Sequence, residues 1–408
     1  MTVDVLVVGG GIAGAALATH LAQAGREVVV VERAPAYRWR AGGVFTSPAA
    51  VAALRRVGLS DDELGKVARA VPAMRVETRR GVEFRLTYGD DGSLAAPAVG
   101  LDRAGLDPLL LDRAASAGAE IRRGVSVAGV RRPAGSGGNF EVALTGPEAA
   151  TRTERARVLV GADGLRSEVA RSMDVARPAR WANRTALTYH LADPGAALPR
   201  DARMRILRDG YVGIAPVPGG RVNVGIVLGP SWKARLHAAG AEPLASRIVR
   251  AIPSTADDPG DWRSGEPLDS VEGAAPVGQR VAAAAGPGWF LVGDAAGFLD
   301  PFTGEGIHRA LVSAELAADA IDSLRAGRRH ADQAADGYRQ AMRARFRAKD
   351  WVSSLVQLFL GEPRLFEYAA RRLAAREGPR ATIGLVMGDL VPAERGLDPR
   401  FLAALLRP

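Results

Sequence analysis

The sequence predicts an α/β protein in which a nucleotide-binding domain is interrupted by a sheet-rich unit and followed by a helical C-terminal part. Three observations carry this expectation. A strand, glycine turn, helix, strand and acid follow one another over residues 3–33. Two later apolar strands end in similar turns, Asp163-Gly164 and Gly293-Asp294. From Ala331 to Arg376 the apolar residues recur with a helical period, broken near Gly361 and Pro363.

The first unit contains the apolar run Val5–Val8, then Gly9-x-Gly11-x-x-Gly14, an alanine-rich helix pattern, and the run Val28–Val31 ending at Glu32. This is the Rossmann-like order that sets a dinucleotide pyrophosphate on a helix N-terminus. Gly9 allows the tight turn, Gly11 lets the backbone approach the ligand, and Gly14 lets helix and strand pack closely. Glu32 ends its strand where a carboxylate can accept hydrogen bonds from ribose hydroxyls. The motif by itself leaves FAD and NAD(P) open.

Composition narrows the chemistry. The chain has 408 residues, 47% hydrophobic and 24% charged, as expected for a globular protein with a full core. It has no cysteine, which excludes disulfides, thiolate metal sites, iron–sulfur clusters and a redox dithiol. Redox chemistry must then belong to a bound cofactor. A core strand begins almost at Met1 and no apolar run reaches the ~18 residues that span a bilayer, so a cytoplasmic protein without a leader is expected. The net charge is +9, but the arginines are scattered and not interleaved with aromatics, which argues against nucleic acid as a partner.

Along the chain, a loop at 33–44 precedes a helix near Ser47–Val57 that ends at Gly58. Residues 73–100 alternate as strands, Arg103–Ala117 is helical, Ala119–Val130 reads as a strand pair, and Arg157–Val160 is a short strand. Residues 183–191 and 203–228 read as sheet, with Tyr211–Val227 a hairpin about Pro218-Gly219-Gly220. Residues 254–273 read as loop, Trp289–Val292 as a buried strand, and Gly306–Leu324 as a long helix. The expected division is a discontinuous nucleotide-binding domain at 1–72, 98–172 and 268–330, a substrate domain at 73–97 and 173–267, and a helical region at 331–408. The apolar segment 352–360 is expected to pack across the domains; contact with membrane or lipid is the second reading.

The third motif, Phe290–Ile307, resembles the second: a buried strand ends in Gly293-Asp294, and a Gly- and Pro-shaped loop opens a helix. Asp294 can accept hydrogen bonds from sugar-like hydroxyls, and amides at Gly304 and Gly306 favour negative charge. Together, Gly9-x-Gly11-x-x-Gly14, Glu32-Arg33, Asp163-Gly164, Gly293-Asp294, Pro301 and Gly304-x-Gly306 resemble the FAD-dependent aromatic hydroxylase (p-hydroxybenzoate hydroxylase-like) superfamily. The resemblance covers roughly residues 1–325. The third motif is most similar to the geranylgeranyl reductase branch, since Gly297 and Glu305 stand where typical hydroxylases carry His and Gln.

The resemblance implies a fold with an FAD-binding Rossmann-like domain and a substrate sheet that roofs the flavin. It implies FAD held by Gly9, Gly11, Ala13 and Gly14 at the pyrophosphate, with Glu32 and Arg33 at the adenosine end. Arg103 and Asp294 would serve the phosphate or ribityl region, Val127 the adenine, Asp163 the region where pyridine nucleotide and FAD are positioned, and Gly304, Gly306 and Ile307 the isoalloxazine. Glu305 and His308 are candidates for proton handling, with the flavin itself as the catalyst; no metal is expected. The implied activity is an NAD(P)H-dependent flavin monooxygenase that hydroxylates or epoxidises a small organic substrate through a C4a-hydroperoxide. The alternative is a flavin-dependent C=C reductase of the geranylgeranyl reductase type; a flavin-binding protein without turnover comes third. Tyr211-Val-Gly-Ile-Ala-Pro216 lacks the tryptophans of flavin halogenases, and loop 41–44 lacks the cysteine that prenyl reductases often carry.

Overall fold

The valine runs at the start of the chain form strands buried on both faces, as a parallel sheet covered by helices requires. In the computed structural model, which describes residues 2–37, 39, 42–88, 97–133, 138–146, 151–179, 183–253 and 261–407, strand β1 (Thr2–Val8) lies at the centre of an eight-stranded sheet. On one side it pairs in parallel with β2 (Val28–Glu32), whose outer edge takes Glu120–Arg123. On the other it pairs in parallel with Thr151–Gly161, followed by Trp289–Leu291. Helix α1 (Ile12–Gln23) lies between the first two strands and packs through Leu17 and Leu21 into the main core.

Two strand expectations change. Ala119–Val130 contains two strands that do not pair with one another. The edge of β2 captures Glu120–Arg123, while Ser126–Arg131 pairs with Phe140–Thr145. The strand expected over Arg157–Val160 spans Thr151–Gly161, because its polar first half pairs with Phe140–Thr145 beyond the buried sheet. Arg38, Arg40 and Ala41 of loop 33–44, residues 89–96 and residues 254–260 lie outside the described residues.

A second sheet has seven strands. Its centre is the expected hairpin, Gly210–Val217 against Arg221–Leu228. Thr185–Ala192 and Glu272–Ala274 flank it on one side. Ala202–Leu207, Ala73–Glu77 and Glu83–Thr87 follow on the other.

Helix α2 (Arg103–Ser116) carries Asp102 as its N-cap, and helix α3 (Gly306–Arg325) packs on α1. The 31-residue helix α4 (Ala331–Gly361) has two duties. Tyr338, Met342 and Phe346 enter the main core, and the Tyr338 hydroxyl donates to the Leu291 carbonyl at 2.7 Å. Beyond Phe346 the same helix faces the second sheet. Pro363, which cannot continue α4 but is preorganised for a first turn, starts α5 (Pro363–Ala375). Helices α6 (Glu377–Met387) and α7 (Pro399–Leu406) complete a cover over Glu83–Thr87. Gly384 sits so close to the Thr87 carbonyl that a Cβ would overlap it. No described helix is long and apolar enough to cross a membrane.

Candidate functional site

The three sequence motifs meet at the carboxyl ends of the central parallel strands. Gly9 has φ +104° and lies against the Ala162 carbonyl, so the first and second motifs touch. A Cβ on Gly293 would stand 2.9 Å from the Ala13 Cβ, so the first and third touch as well. Gly14 abuts the Gly9 carbonyl, whereas the Cα of Gly11 faces open space. Gly11 is the N-cap of α1, and no side chain caps that helix. Its first amides are free to meet an anion.

The acid at the end of β2 is already engaged. Glu32 is buried and accepts from the Gly10 amide at 2.8 Å and from the Ala34 amide at 2.9 Å. It shapes the glycine turn, and a carboxylate has acceptor positions beyond these two. Arg33 is exposed. Val127 lies half-buried on the strand paired with Phe140–Thr145. Asp163 turns inward: its Oδ2 accepts from the Glu168 amide at 2.6 Å, its Oδ1 is buried without a partner among the described residues, and burial raises its carboxyl above the usual range.

Arg103 opens α2 with a bidentate pair to Asp107 at 2.6 and 2.8 Å and donates to the Gly43 carbonyl at 3.0 Å. It also lies within electrostatic reach of Asp294. Burial pushes the Asp294 carboxyl up to about 6, against the opposing pull of Arg103 and Arg309. Two residues 191 positions apart are thus electrostatic neighbours.

The loop after Asp294 ends at Gly304, in the left-handed region (φ +67°) and packed on the Phe45 ring. Gly306 and Ile307 begin α3, which also lacks a side-chain cap. The Ile307 side chain is in the core, so only its amide can face a ligand. Glu305 and His308 belong to a buried ion cluster behind this loop. Lys349 of α4 lies 3.2 Å from Glu305 Oε1, donates to Asp389 Oδ1 at 2.9 Å and to the Val386 carbonyl at 2.5 Å. His308 Nδ1 is 3.0 Å from Asp389 Oδ2, and Arg345 lies 3.3 Å from its Nε2. Burial pushes the Glu305 carboxyl up to about 7; Lys349 opposes this and Asp389 adds to it. Asp389, despite its burial, is held well below the carboxylate range by His308 and Lys349. Sequence reading missed Lys349 and Asp389, which carry no local motif.

Beside this loop lies a cavity of about 140 Å³. Phe45, Phe302 and Thr303 close the end nearest Gly304; the second sheet lines one side and helices α4–α7 the other. Val352, Leu355, Val356 and Phe359 bring segment 352–360 into its wall, while Trp351 and Leu358 of the same helix point outward. The side chains lining it are hydrocarbon apart from the Tyr88 hydroxyl, the Thr303 hydroxyl and three methionine sulfurs.

Known proteins resemble this chain in sequence and in fold. The family described as FAD binding domain matches residues 2–348. A menaquinone reductase of Mycolicibacterium smegmatis is 30% identical over 329 residues, covering 78% of this chain and 76% of the relative. Digeranylgeranylglycerophospholipid reductase 2 of Methanothermobacter thermautotrophicus is 30% identical over 343 residues, 80% of each chain. The crystal structure of a flavoprotein/dehydrogenase from Cytophaga hutchinsonii superposes with a TM-score of 0.81 at 18% identity, over 97% of this chain and 95% of that one. With three converging loops and a match along most of its length, the chain belongs to the FAD-binding, p-hydroxybenzoate hydroxylase-like family and is an FAD-dependent oxidoreductase.

Proposed function

We propose that this protein reduces carbon–carbon double bonds in an apolar, isoprenoid-type substrate. The observation that carries the proposal is the hydrocarbon cavity beside Gly304. A pocket for a phenol or another polar aromatic needs buried partners for its hydroxyl groups, because an unmatched polar group costs about 1–3 kcal/mol. This lining offers few. The two reductase relatives are named for isoprenoid-bearing substrates, a menaquinone and a digeranylgeranylglycerophospholipid, which supports the proposed substrate class. Of the monooxygenase reading, first in order from the sequence, the lining suits epoxidation of an apolar alkene but not hydroxylation of a phenol.

The residues fit an FAD. The uncapped amides at Ile12–Gly14 would receive the pyrophosphate, Glu32 the adenosine ribose, Arg103 and Asp294 the phosphate and ribityl chain, and the amides of Gly306 and Ile307 the isoalloxazine edge. Bound there, FAD supplies two-electron, hydride-type chemistry. Phe45 and Phe302 would hold the alkene end against this edge. Helices α4–α7 exclude water along the remaining chain. NADH or NADPH is the proposed electron source.

The test is anaerobic. The FAD-loaded protein, reduced photochemically, is mixed with a geranylgeranyl lipid that carries no quinone, and the products are weighed by mass spectrometry. Gain of two hydrogens per bond, with flavin reoxidation, is expected. Turnover only with oxygen, adding one oxygen atom, would favour the monooxygenase instead. NADH and NADPH are then compared as reductants.

A further inference from the structure

The buried cluster behind the third loop holds two carboxylates around one lysine, and their surroundings are unequal. Asp389 receives Lys349 at 2.9 Å, His308 Nδ1 at 3.0 Å and the Ser47 hydroxyl at 3.1 Å. Glu305 has Lys349 alone among these, at 3.2 Å. Lys349 is itself buried and further occupied by the Val386 carbonyl. Lys349 is shared between the two carboxylates and Asp389 has the larger set of donors, so the first proton added to the cluster goes to the less supported one, Glu305. The other charged group acting on Glu305 is Arg309 of α3, while His308 of the same helix contacts Asp389. Arg309 is paired with Asp350 of α4 at 2.5 Å, and Arg345 of α4 faces His308. Glu305 stands between Gly304 and the Gly306–Ile307 amides, the stretch assigned above to the flavin edge.

We propose that Glu305 takes up one proton when the flavin beside it accepts two electrons, and that Lys349 and Asp389 are positioning residues that set where in pH this happens. The balance is simple: an external hydride donor supplies two electrons and one proton to the cofactor, and solvent supplies a second proton to the Glu305 carboxylate. The added negative charge at the cofactor raises the proton affinity of the neighbouring carboxyl, which releases the proton again on reoxidation. The proposal rests on the flavin lying at this loop and not on the identity of the substrate.

Proton uptake is measured on photoreduction of the FAD-loaded protein in weak buffer with a pH dye, without substrate. About one pH unit above the Glu305 value of about 7, wild type should take up close to two protons per electron pair and Glu305→Gln one. Lys349→Met removes the cation, so its two-proton window should move to higher pH. Asp389→Asn frees Lys349 for Glu305, so its window should move to lower pH. A merely structural cluster would move none of these counts. Equal uptake by wild type and Glu305→Gln overturns the proposal. Where a variant fails to hold FAD, infrared spectroscopy of the apoprotein replaces that measurement. A protonated-carboxyl band that titrates near neutrality in wild type and is missing in Glu305→Gln supports the assignment; its absence from wild type sinks it. Failure of anaerobic alkene reduction would count against the proposed substrate alone.

Discussion

The Tyr211 hydroxyl donates to Asp300 Oδ1 at 2.6 Å and so ties the centre of the second sheet to the loop that opens α3. Arg184 holds the other oxygen at 2.6 Å and reaches Gln357 of α4 at the same distance. Burial and the Asp300 charge keep the Tyr211 phenol well above its usual range, so it remains a donor. Nucleotide loop, second sheet and C-terminal helices therefore share one buried carboxylate.

Breaking that link should be graded. Tyr211→Phe removes one neutral donor and should cost about 1–2 kcal/mol in urea unfolding. Asp300→Ala leaves the Arg184 guanidinium buried without its carboxylate and should cost about 3–5 kcal/mol. Equal losses in the two variants would contradict this account.

The glycines of the first motif should separate folding from binding. Gly14→Ala places a Cβ on the Gly9 carbonyl and should lower stability, read as a fall in the melting temperature. Gly11→Ala meets no protein atom, so its circular dichroism and melting temperature should match wild type. Its methyl would occupy the side on which the dinucleotide approaches, so FAD affinity should fall by at least about tenfold, or 1.4 kcal/mol.

Asp294, proposed above to hold the ribityl chain, should give cofactor binding a pH dependence. Its carboxyl titrates near about 6, and only the ionised form accepts hydrogen bonds on both oxygens. FAD affinity, measured by flavin fluorescence, should weaken as pH falls through that value. Asp294→Asn should bind FAD more weakly near neutrality and show no such transition.

Glu305 should make the apoprotein less stable as pH rises. Its carboxyl ionises near 4.5 in the unfolded chain and near about 7 in the fold. Between those values the folded state holds more protons, so stability falls with increasing pH across that window and is unaffected below it. Glu305→Gln should gain on the order of 2–3 kcal/mol over wild type at about pH 8 and almost nothing at about pH 4. Chemical unfolding at both values checks the sign.

Filling the cavity should affect substrate and spare flavin. Ala370 is buried in its wall. Ala370→Phe should raise KM for a polyprenyl substrate strongly, leave flavin content unchanged, and cost about 1–3 kcal/mol of stability from overpacking. Loss of FAD from this variant would show that the cavity and the cofactor cleft are not separable.

Much of the nucleotide fold is legible in local pattern. Gly9, Gly11 and Gly14 stand at fixed spacing because a single turn imposes it, and Val28–Val31 reads as a buried strand because both its faces are covered. The hairpin at Tyr211–Val227 follows from its turn chemistry. The partner of Ser126–Arg131 is not legible, since Phe140–Thr145 and the open edge of β2 compete for the strands after α2 and only packing decides.

By itself the sequence determined that this chain builds a dinucleotide cleft, because the backbone of a strand–turn–helix unit dictates its own glycines. It also determined that redox chemistry is borrowed from a cofactor, because no cysteine is present. Only the tertiary structure decided that α4–α7 and the second sheet enclose a hydrocarbon cavity beside the third motif, and that Lys349 and Asp389 reach Glu305 across 44 and 84 residues. Apolar lining and buried charge pairs are assembled from distant segments, and their energies depend on a desolvation that no local pattern encodes.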